Sequence, residues 1–440
     1  MSRWENHSFW STCVPLTVRL PVVAVGWFVS APEKTRRLMS APDSVSGTVH
    51  LQTTACIAGA GPSGAAASLM LSRMGIAHVV VDKATFPRDK TCGDGLVLYV
   101  FKVLKLIDPE LLADFLKHPA FVHAHSGQFH VSDRLFIDVR REKNAAHAPI
   151  FYGKRYDFDH FLVQRLPSPH ARVLPGKAVT GFENLGQAGM RVHLDDGSTI
   201  TAAVVLGADG INSLVSRKLG RNRLDKSRSS AFVSAYFSGL EQLPPDNRAE
   251  IRLVYKQIPL FFYIFPLPNG EVNVSLGGVS AEVNRHKLNL KAEVTDIIRS
   301  HPKIAPRFKD AVQLGNWRGW GIPCHFGHLR TSGDRFMLLG DAAGLANAFY
   351  KEGVGTGMMS GVIAARKVQE CLEKGDFGAA RLSGYEKLLQ QEFGRLLLAS
   401  RVLPILVLLL AGLLFFSLRN GQERVARQQA QLAKLEHWQD

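Results

Sequence analysis

Short apolar runs that end in a glycine or an acid recur along this chain, separated by stretches with helical spacing. Residues 55–58 form such a run and stop at three glycines, Gly59, Gly61 and Gly64. The Ala-rich segment that follows, through Met74, reads as a helix, and His78-Val79-Val80-Val81 reads as a second buried strand ending in Asp82. Helical spacing returns over 96–106 and 109–117, whereas 128–140 alternates apolar and polar residues as a strand does. The segment 155–162 opens another helix, with Asp157 or Asp159 near its first turn. Residues 172–206 read as a β-meander whose hairpin turn is Asp195-Asp196-Gly197. A buried strand then ends at Asp209-Gly210. Several strands at short spacing fill 230–280, including 261–265 and 272–276, and 289–300 is helical. The run 336–339 ends in Gly340-Asp341, and a glycine-rich helix start, Glu352-Gly353-Val354-Gly355, follows it.

The first of these patterns carries chemistry. Glycines at G-x-G-x-x-G spacing between a strand and a helix, with an acid 21 residues after the second glycine, are the βαβ dinucleotide fingerprint. Gly59 permits the tight turn, Gly61 lets backbone approach a pyrophosphate, and Gly64 lets helix and strand pack closely. Ala60, Pro62 and Ser63 complete the loop, whose helix N-terminus offers free amides to phosphate. Asp82 is expected to accept hydrogen bonds from the adenosine ribose, with Lys83 beside it.

Composition narrows the setting. Lys and Arg number 53 against 38 Asp and Glu, a net charge of +15, which can attract anionic lipid, nucleic acid or an acidic cofactor. No nucleic-acid motif or long basic run appears, so nucleic acid is not expected as a partner. Five scattered cysteines, with no CxxC pair, argue against a disulfide framework or a metal site and for a reducing compartment. Two stretches stand apart. Residues 1–50 read as a non-native extension ahead of a working start at Met39, a weak anchor being the alternative. Residues 402–418 carry no charge, lie between Arg401 and Arg419, and contain Pro404 and Gly412. They fall short of the roughly 20 residues that a span needs, and contact with a membrane surface is favoured over simple core.

Three acid-plus-glycine strand ends favour FAD over NAD, because a long flavin dinucleotide is held at several points. Over residues 53–388 the sequence resembles the geranylgeranyl reductase family of FAD-dependent oxidoreductases, of the glutathione-reductase type and similar to aromatic-hydroxylase-like monooxygenases. The resemblance rests on Gly59 to Gly64, on Lys90-Thr91-Cys92-Gly93-Asp94-Gly95-Leu96, on Arg155 with Phe158, Asp159 and Leu162, on Gly207-Ala208-Asp209-Gly210, and on Gly340-Asp341-Ala342-Ala343-Gly344 with Glu352-Gly353.

It implies an α/β fold: a Rossmann-like FAD-binding domain (51–125, 150–229 and 315–388) interleaved with a mainly β substrate domain (126–149 and 230–314), then a helical tail over 389–440. It also implies site roles. Gly59, Gly61 and Gly64 bind the pyrophosphate and Asp82 the ribose; Arg155 sits near pyrophosphate or flavin; Asp209 lies where its strand end nears the cofactor. Asp341, after Gly340, takes the ribityl or pyrophosphate region. The amides of Gly353, Val354 and Gly355 point at the flavin pyrimidine. The Cys92-Gly93 loop reaches the flavin ring, with Cys92 as proton donor or as a small filler. Phe261, Tyr263, Phe265 and Pro266 stand where the family has a Tyr-x-Trp-x-Phe-Pro lining motif, while Ala348 and Lys351 depart from the family's Pro and Gly.

The function implied is FAD-dependent reduction of a carbon–carbon double bond in an apolar substrate, a prenyl or other lipid chain. NAD(P)H or a reduced electron carrier would supply electrons. The expected setting is cytoplasmic and membrane-associated. An FAD monooxygenase and a membrane-associated electron-transfer flavoprotein with a redox partner protein are the alternatives.

Overall fold

The computed structural model describes residues 48, 50–133, 135–140, 150–348 and 351–400. The expected extension over 1–50 lies almost wholly outside them, and the apolar stretch 402–418 lies outside them entirely. Among the described residues no helix is long and apolar enough to cross a membrane.

The first sheet has eight strands. Its continuous path runs Ser332–Gly333, Phe336–Leu338, Thr199–Gly207, His50–Ala58, His78–Asp82, Ala171–Pro175. All neighbours but the first pair on this path are parallel, which is why the strands at 55–58, 79–81 and 204–206 are continuous aliphatic runs with no polar face. The helix Pro62–Arg73 crosses over between the first two strands. Against it packs the long helix Val354–Lys374, and small residues let the two approach closely. A Cβ placed on Gly361 would stand 2.4 Å from the Ser63 carbonyl oxygen, so any larger residue there drives the helices apart. Both helices begin at the same end of the sheet, where Ser63 meets Gly340 and Gly357.

The second sheet has seven strands in the order Val312–Pro323, Ser229–Ser238, Val272–Val279, Pro259–Pro266, Ala249–Tyr255, Ser126–His130, Phe136–Arg140. It is antiparallel except where Ala249–Tyr255 meets Ser126–His130. One face buries Val274, Leu276, Phe262 and Ile264 under the helix Leu290–Ser300, which Asn289 caps by accepting from the Lys291 and Ala292 amides. The other face carries Phe232, Tyr263 and Ile322. A small antiparallel sheet of Gly95–Val97, Ile150–Tyr152 and Val122–Ala124 completes the strands among the described residues.

Three expectations change. The strand expected over 128–140 is two, Ser126–His130 and Phe136–Arg140, folded into a hairpin; its alternation continues through the turn and hides it. The meander expected over 172–206 begins only at Val179–Asn184, because Ala171–Pro175 pairs parallel with His78–Asp82. The boundary expected at 315 cuts through Val312–Pro323, which pairs with Ser229–Ser238 and so carries the second sheet to Pro323.

Candidate cofactor and substrate site

Parallel register places Ala58 opposite Val81, so the glycine loop leaves its strand beside Asp82. The Ala60 amide donates to Asp82 Oδ2 at 2.8 Å and the Ala84 amide to Oδ1 at 2.8 Å. Lys83 is exposed. Gly59 has φ +105°, and a Cβ on it would lie 2.4 Å from the Ala208 carbonyl oxygen. That is a turn only glycine makes. A Cβ on Gly64 would lie 1.9 Å from the Gly59 oxygen, the close helix–strand packing expected there. Gly61 differs: a Cβ there would meet one atom within 4 Å, Nη2 of Arg88 at 3.5 Å. The space above Gly61 is open and faces a guanidinium. Pro62 starts the helix, and no side chain caps it, which leaves first-turn amides for an anion. This cradle fits a dinucleotide pyrophosphate.

Asp209 follows the adjacent strand, its backbone amide next to Gly59. Its Oδ2 accepts from the Leu214 and Val215 amides at 2.6 and 3.2 Å, holding the helix Leu214–Lys218. Its Oδ1 is buried without a hydrogen-bond partner among the described residues, and burial pushes its carboxyl above the ordinary range. Gly340 and Asp341 lie in a short 3-10 turn that packs beside the first turn of the Val354 helix, and Asp341 Oδ2 is 3.8 Å from Lys90 Nζ. The Gly353–Gly355 amides are not all available to a ligand. Glu352 Oε1 accepts from Gly355, so that amide is spent capping its own helix. Val354 is half-buried and packs on the core.

The loop 90–95 crosses from the first sheet to the small one. Cys92 is half-buried. Burial raises its thiol; the Arg155 guanidinium, the Asp94 amide and Lys90 pull it down and the Asp94 carboxylate pushes it up, and the balance leaves it raised. Gly93 presses on Phe265, whose ring lies 3.3 Å from where a Cβ would stand. From Phe265 an aromatic wall continues along the second sheet: Tyr263 at 5.2 Å between ring centroids, then Phe232 at 5.6 Å from Tyr263 and Trp320 at 5.4 Å from Phe232. Phe261 stacks at 6.4 Å from Tyr263, and Pro266 ends the strand. A groove of about 650 Å³ adjoins this wall, lined in part by Phe232, Leu288 and Trp320. Arg155 sits behind the loop rather than in the open. It is 3 % exposed, and its Nε and Nη2 bind both oxygens of Asp159 at 2.6 and 2.8 Å. Arg88 reaches the same carboxylate at 3.2 Å.

Residues 52–392 match the family described as FAD binding domain. The chain belongs to the FAD-binding-domain family. It is similar to a menaquinone reductase of Mycobacterium tuberculosis, 30% identical over 364 residues that cover 80% of this chain and 83% of the relative. It is also similar to a digeranylgeranylglycerophospholipid reductase 2 of Methanopyrus kandleri, 27% identical over 77% and 82% of the two chains. Among solved structures, a geranylgeranyl bacteriochlorophyll reductase-like protein of Thermoplasma acidophilum aligns with a TM-score of 0.70, at 21% identity over 80% of this chain and 87% of that one. The flavin-dependent halogenase CmlS aligns at 0.64, with 21% identity and coverage of 77% and 62%. These two likenesses speak for the shared fold. FAD is the cofactor of this family, and the protein is a FAD-dependent oxidoreductase by membership.

Within this FAD-binding chain, spacing alone missed several residues. Arg88 was visible as a lone arginine in the loop after Asp82, without a signal that it returns over Gly61. Asp94 lies inside the Cys-Gly loop, with φ +63° and no exposed surface. Asn273 and Ser275 break the apolar alternation of Val272–Val279 on one buried face, which is a legible signal: a polar pair inside a strand needs partners. Glu352 shares its site with Asp341, and its carboxyl is pushed up to about 7, mainly by burial.

Proposed function

We propose that this protein uses FAD to reduce a carbon–carbon double bond in the isoprenoid chain of a lipid substrate. One observation carries the reading: a half-buried thiol, Cys92, raised by burial, stands where an aromatic wall from the second sheet meets the loop that leaves the dinucleotide strand. The names of the two similar relatives support it, since a prenylated quinone and a geranylgeranylated glycerolipid share an isoprenoid chain.

FAD bound here supplies the hydride chemistry. The chain's own residues bind and orient. The Gly61 face, the first amides of the Pro62 helix and Arg88 receive the pyrophosphate; Asp82 and Asp341 offer acceptors to hydroxyls. Phe265, Tyr263 and Phe261 exclude water and align an apolar chain. Cys92 donates a proton to the substrate carbon, a role that typically contributes ~10²–10⁴-fold. NAD(P)H or a reduced carrier protein delivers the electrons, and the basic chain draws its substrate from an anionic membrane surface.

Anaerobic single turnover tests this. Enzyme reduced with a stoichiometric amount of dithionite is mixed with a geranylgeranyl glycerolipid, which has no quinone ring to accept the electrons, under nitrogen. Flavin reoxidation without oxygen, with product heavier by one hydrogen pair, is the expected result. Reoxidation only after oxygen is admitted, with an oxygenated product, would make the protein a monooxygenase.

A further inference from the structure

Behind the Cys92 loop lies a closed polar cluster that neither the dinucleotide cradle nor the aromatic wall uses. Its centre is Asn273, fully buried on the second sheet. The Asn273 side-chain oxygen accepts from the hydroxyls of Ser234 at 2.7 Å and Ser275 at 2.8 Å. Both its lone pairs are then taken, which fixes the amide orientation. Its nitrogen donates to the Cys92 carbonyl at 2.8 Å and to Asp94 Oδ2 at 2.7 Å. Asp94 Oδ1 accepts from the Arg155 backbone amide at 3.3 Å, and the Tyr236 hydroxyl donates to the same carboxyl. Asp94 itself is in the left-handed region at φ +63°, a strained backbone for aspartate. A buried acid in a strained conformation is costly, and three donors from three other elements hold this one.

We propose that Asp94 is the positioning residue of the Cys92 thiol: clamped by Asn273, Tyr236 and the Arg155 amide, its carboxyl fixes the Cys92–Gly93 turn to the second sheet and adds its negative charge beside the thiol. The acid role of Cys92 belongs to the reductase reading, and the proposal rests on that reading only for its consequence in turnover. The other charged groups around the pair are accounted for. Arg155 faces the thiol, hydrogen-bonds it and pulls it down more strongly than the Asp94 carboxylate pushes it up, while also pairing with Asp159, which Arg88 contacts. Lys90 pairs with Asp341. Lys154 lies 4.8 Å over the Tyr236 ring and pairs with Glu271, and Asp89, near Tyr236, pairs with Arg318. Asp94 is therefore the carboxylate whose charge bears on the thiol most directly. Burial pushes that carboxyl up to about 7, against the donors that pull it down. Its charge state thus changes across neutral pH, and each ionisation makes the thiol harder to deprotonate.

The test reads the thiol directly. FAD-loaded wild type, Asp94→Asn and Tyr236→Phe are alkylated with iodoacetamide from pH 6 to 10, and the Cys92 peptide is quantified by mass. Removing a neighbouring negative charge lowers a thiol pKa by about one unit or more. Asp94→Asn should therefore alkylate roughly tenfold faster at pH 8. Tyr236→Phe removes one donor, keeps Asp94 protonated to higher pH, and should give a smaller acceleration in the same direction. Superimposable profiles for wild type and Asp94→Asn overturn the proposal. If Asp94→Asn does not fold, Tyr236→Phe decides, and an unchanged profile there overturns it too. If the profiles shift but Asp94→Asn reoxidises anaerobically at the wild-type rate, the positioning of the thiol stands and the acid role of Cys92 falls.

Discussion

Two glycine-containing loops leave the first sheet, one over 59–64 and one over 90–95, and each is organised around an aspartate. Asp82 is half-buried and held by amides of Ala60 and Ala84, no more than 22 residues away. Asp94 has no exposed surface and is held by Asn273, 179 residues away on the other sheet. The first loop is built by local geometry and is open to a ligand above Gly61. The second is built by tertiary contact, with Asp94 fully buried and Cys92 and Gly93 half-buried. A cofactor cradle that recurs across folds can be specified locally, whereas a reactive thiol needs a pocket assembled from distant parts.

The comparison can be broken at the second loop first. Arg155→Met removes the partner of a buried carboxylate and should cost about 3–5 kcal/mol, with Arg88 left as partial compensation; urea unfolding would show it, and a loss below about 1 kcal/mol would mean that the Arg155–Asp159 pair does not anchor the loop. Asn273→Ala strips donors from Asp94 and from the Cys92 carbonyl, and each unsatisfied buried group costs about 1–3 kcal/mol. It should lower stability while leaving the FAD content of the folded fraction unchanged. Gly61→Val acts the other way. The side chain enters open space, so the apo fold should hold, but filling a fitted site costs about 1–3 kcal/mol, or FAD binding weaker by about tenfold to a hundredfold. Equal FAD affinity in Gly61→Val and wild type would remove the cradle assignment.

A separate effect is in pH. Asp94 is raised from 3.8 to about 7, so between those values the native state holds a proton that the unfolded chain has released. Stability from this group is full below pH 4 and is lost as pH rises towards 7. Asp94→Asn should flatten that part of the stability–pH curve, read as urea midpoints at successive pH values.

The same contrast explains what could be read in the sequence. The βαβ unit was legible because strand, glycines, helix and acid follow one another between residues 55 and 82, and the helix Pro109–Lys117 was equally local. The hairpin within 126–140 was not, because its turn continues the alternation of its strands. The amide of Gly355 was expected at the flavin and instead serves Glu352, since a glycine-rich helix start has the same sequence whether it packs or binds. Arg155 was expected near the cofactor, and only the fold shows its guanidinium gripping Asp159. Asp94 stood in plain view beside Cys92, but nothing within the loop shows that Asn273 will reach it.

The central claim is a division of labour between the loops, the first holding FAD and the second performing proton transfer. Cys92→Ala tests it most directly, through FAD stoichiometry and anaerobic reoxidation of the reduced enzyme by a geranylgeranyl glycerolipid measured on one preparation. A full complement of FAD with reoxidation slowed ~10²–10⁴-fold is the predicted result. Wild-type reoxidation by the variant, or loss of FAD along with activity, would contradict it.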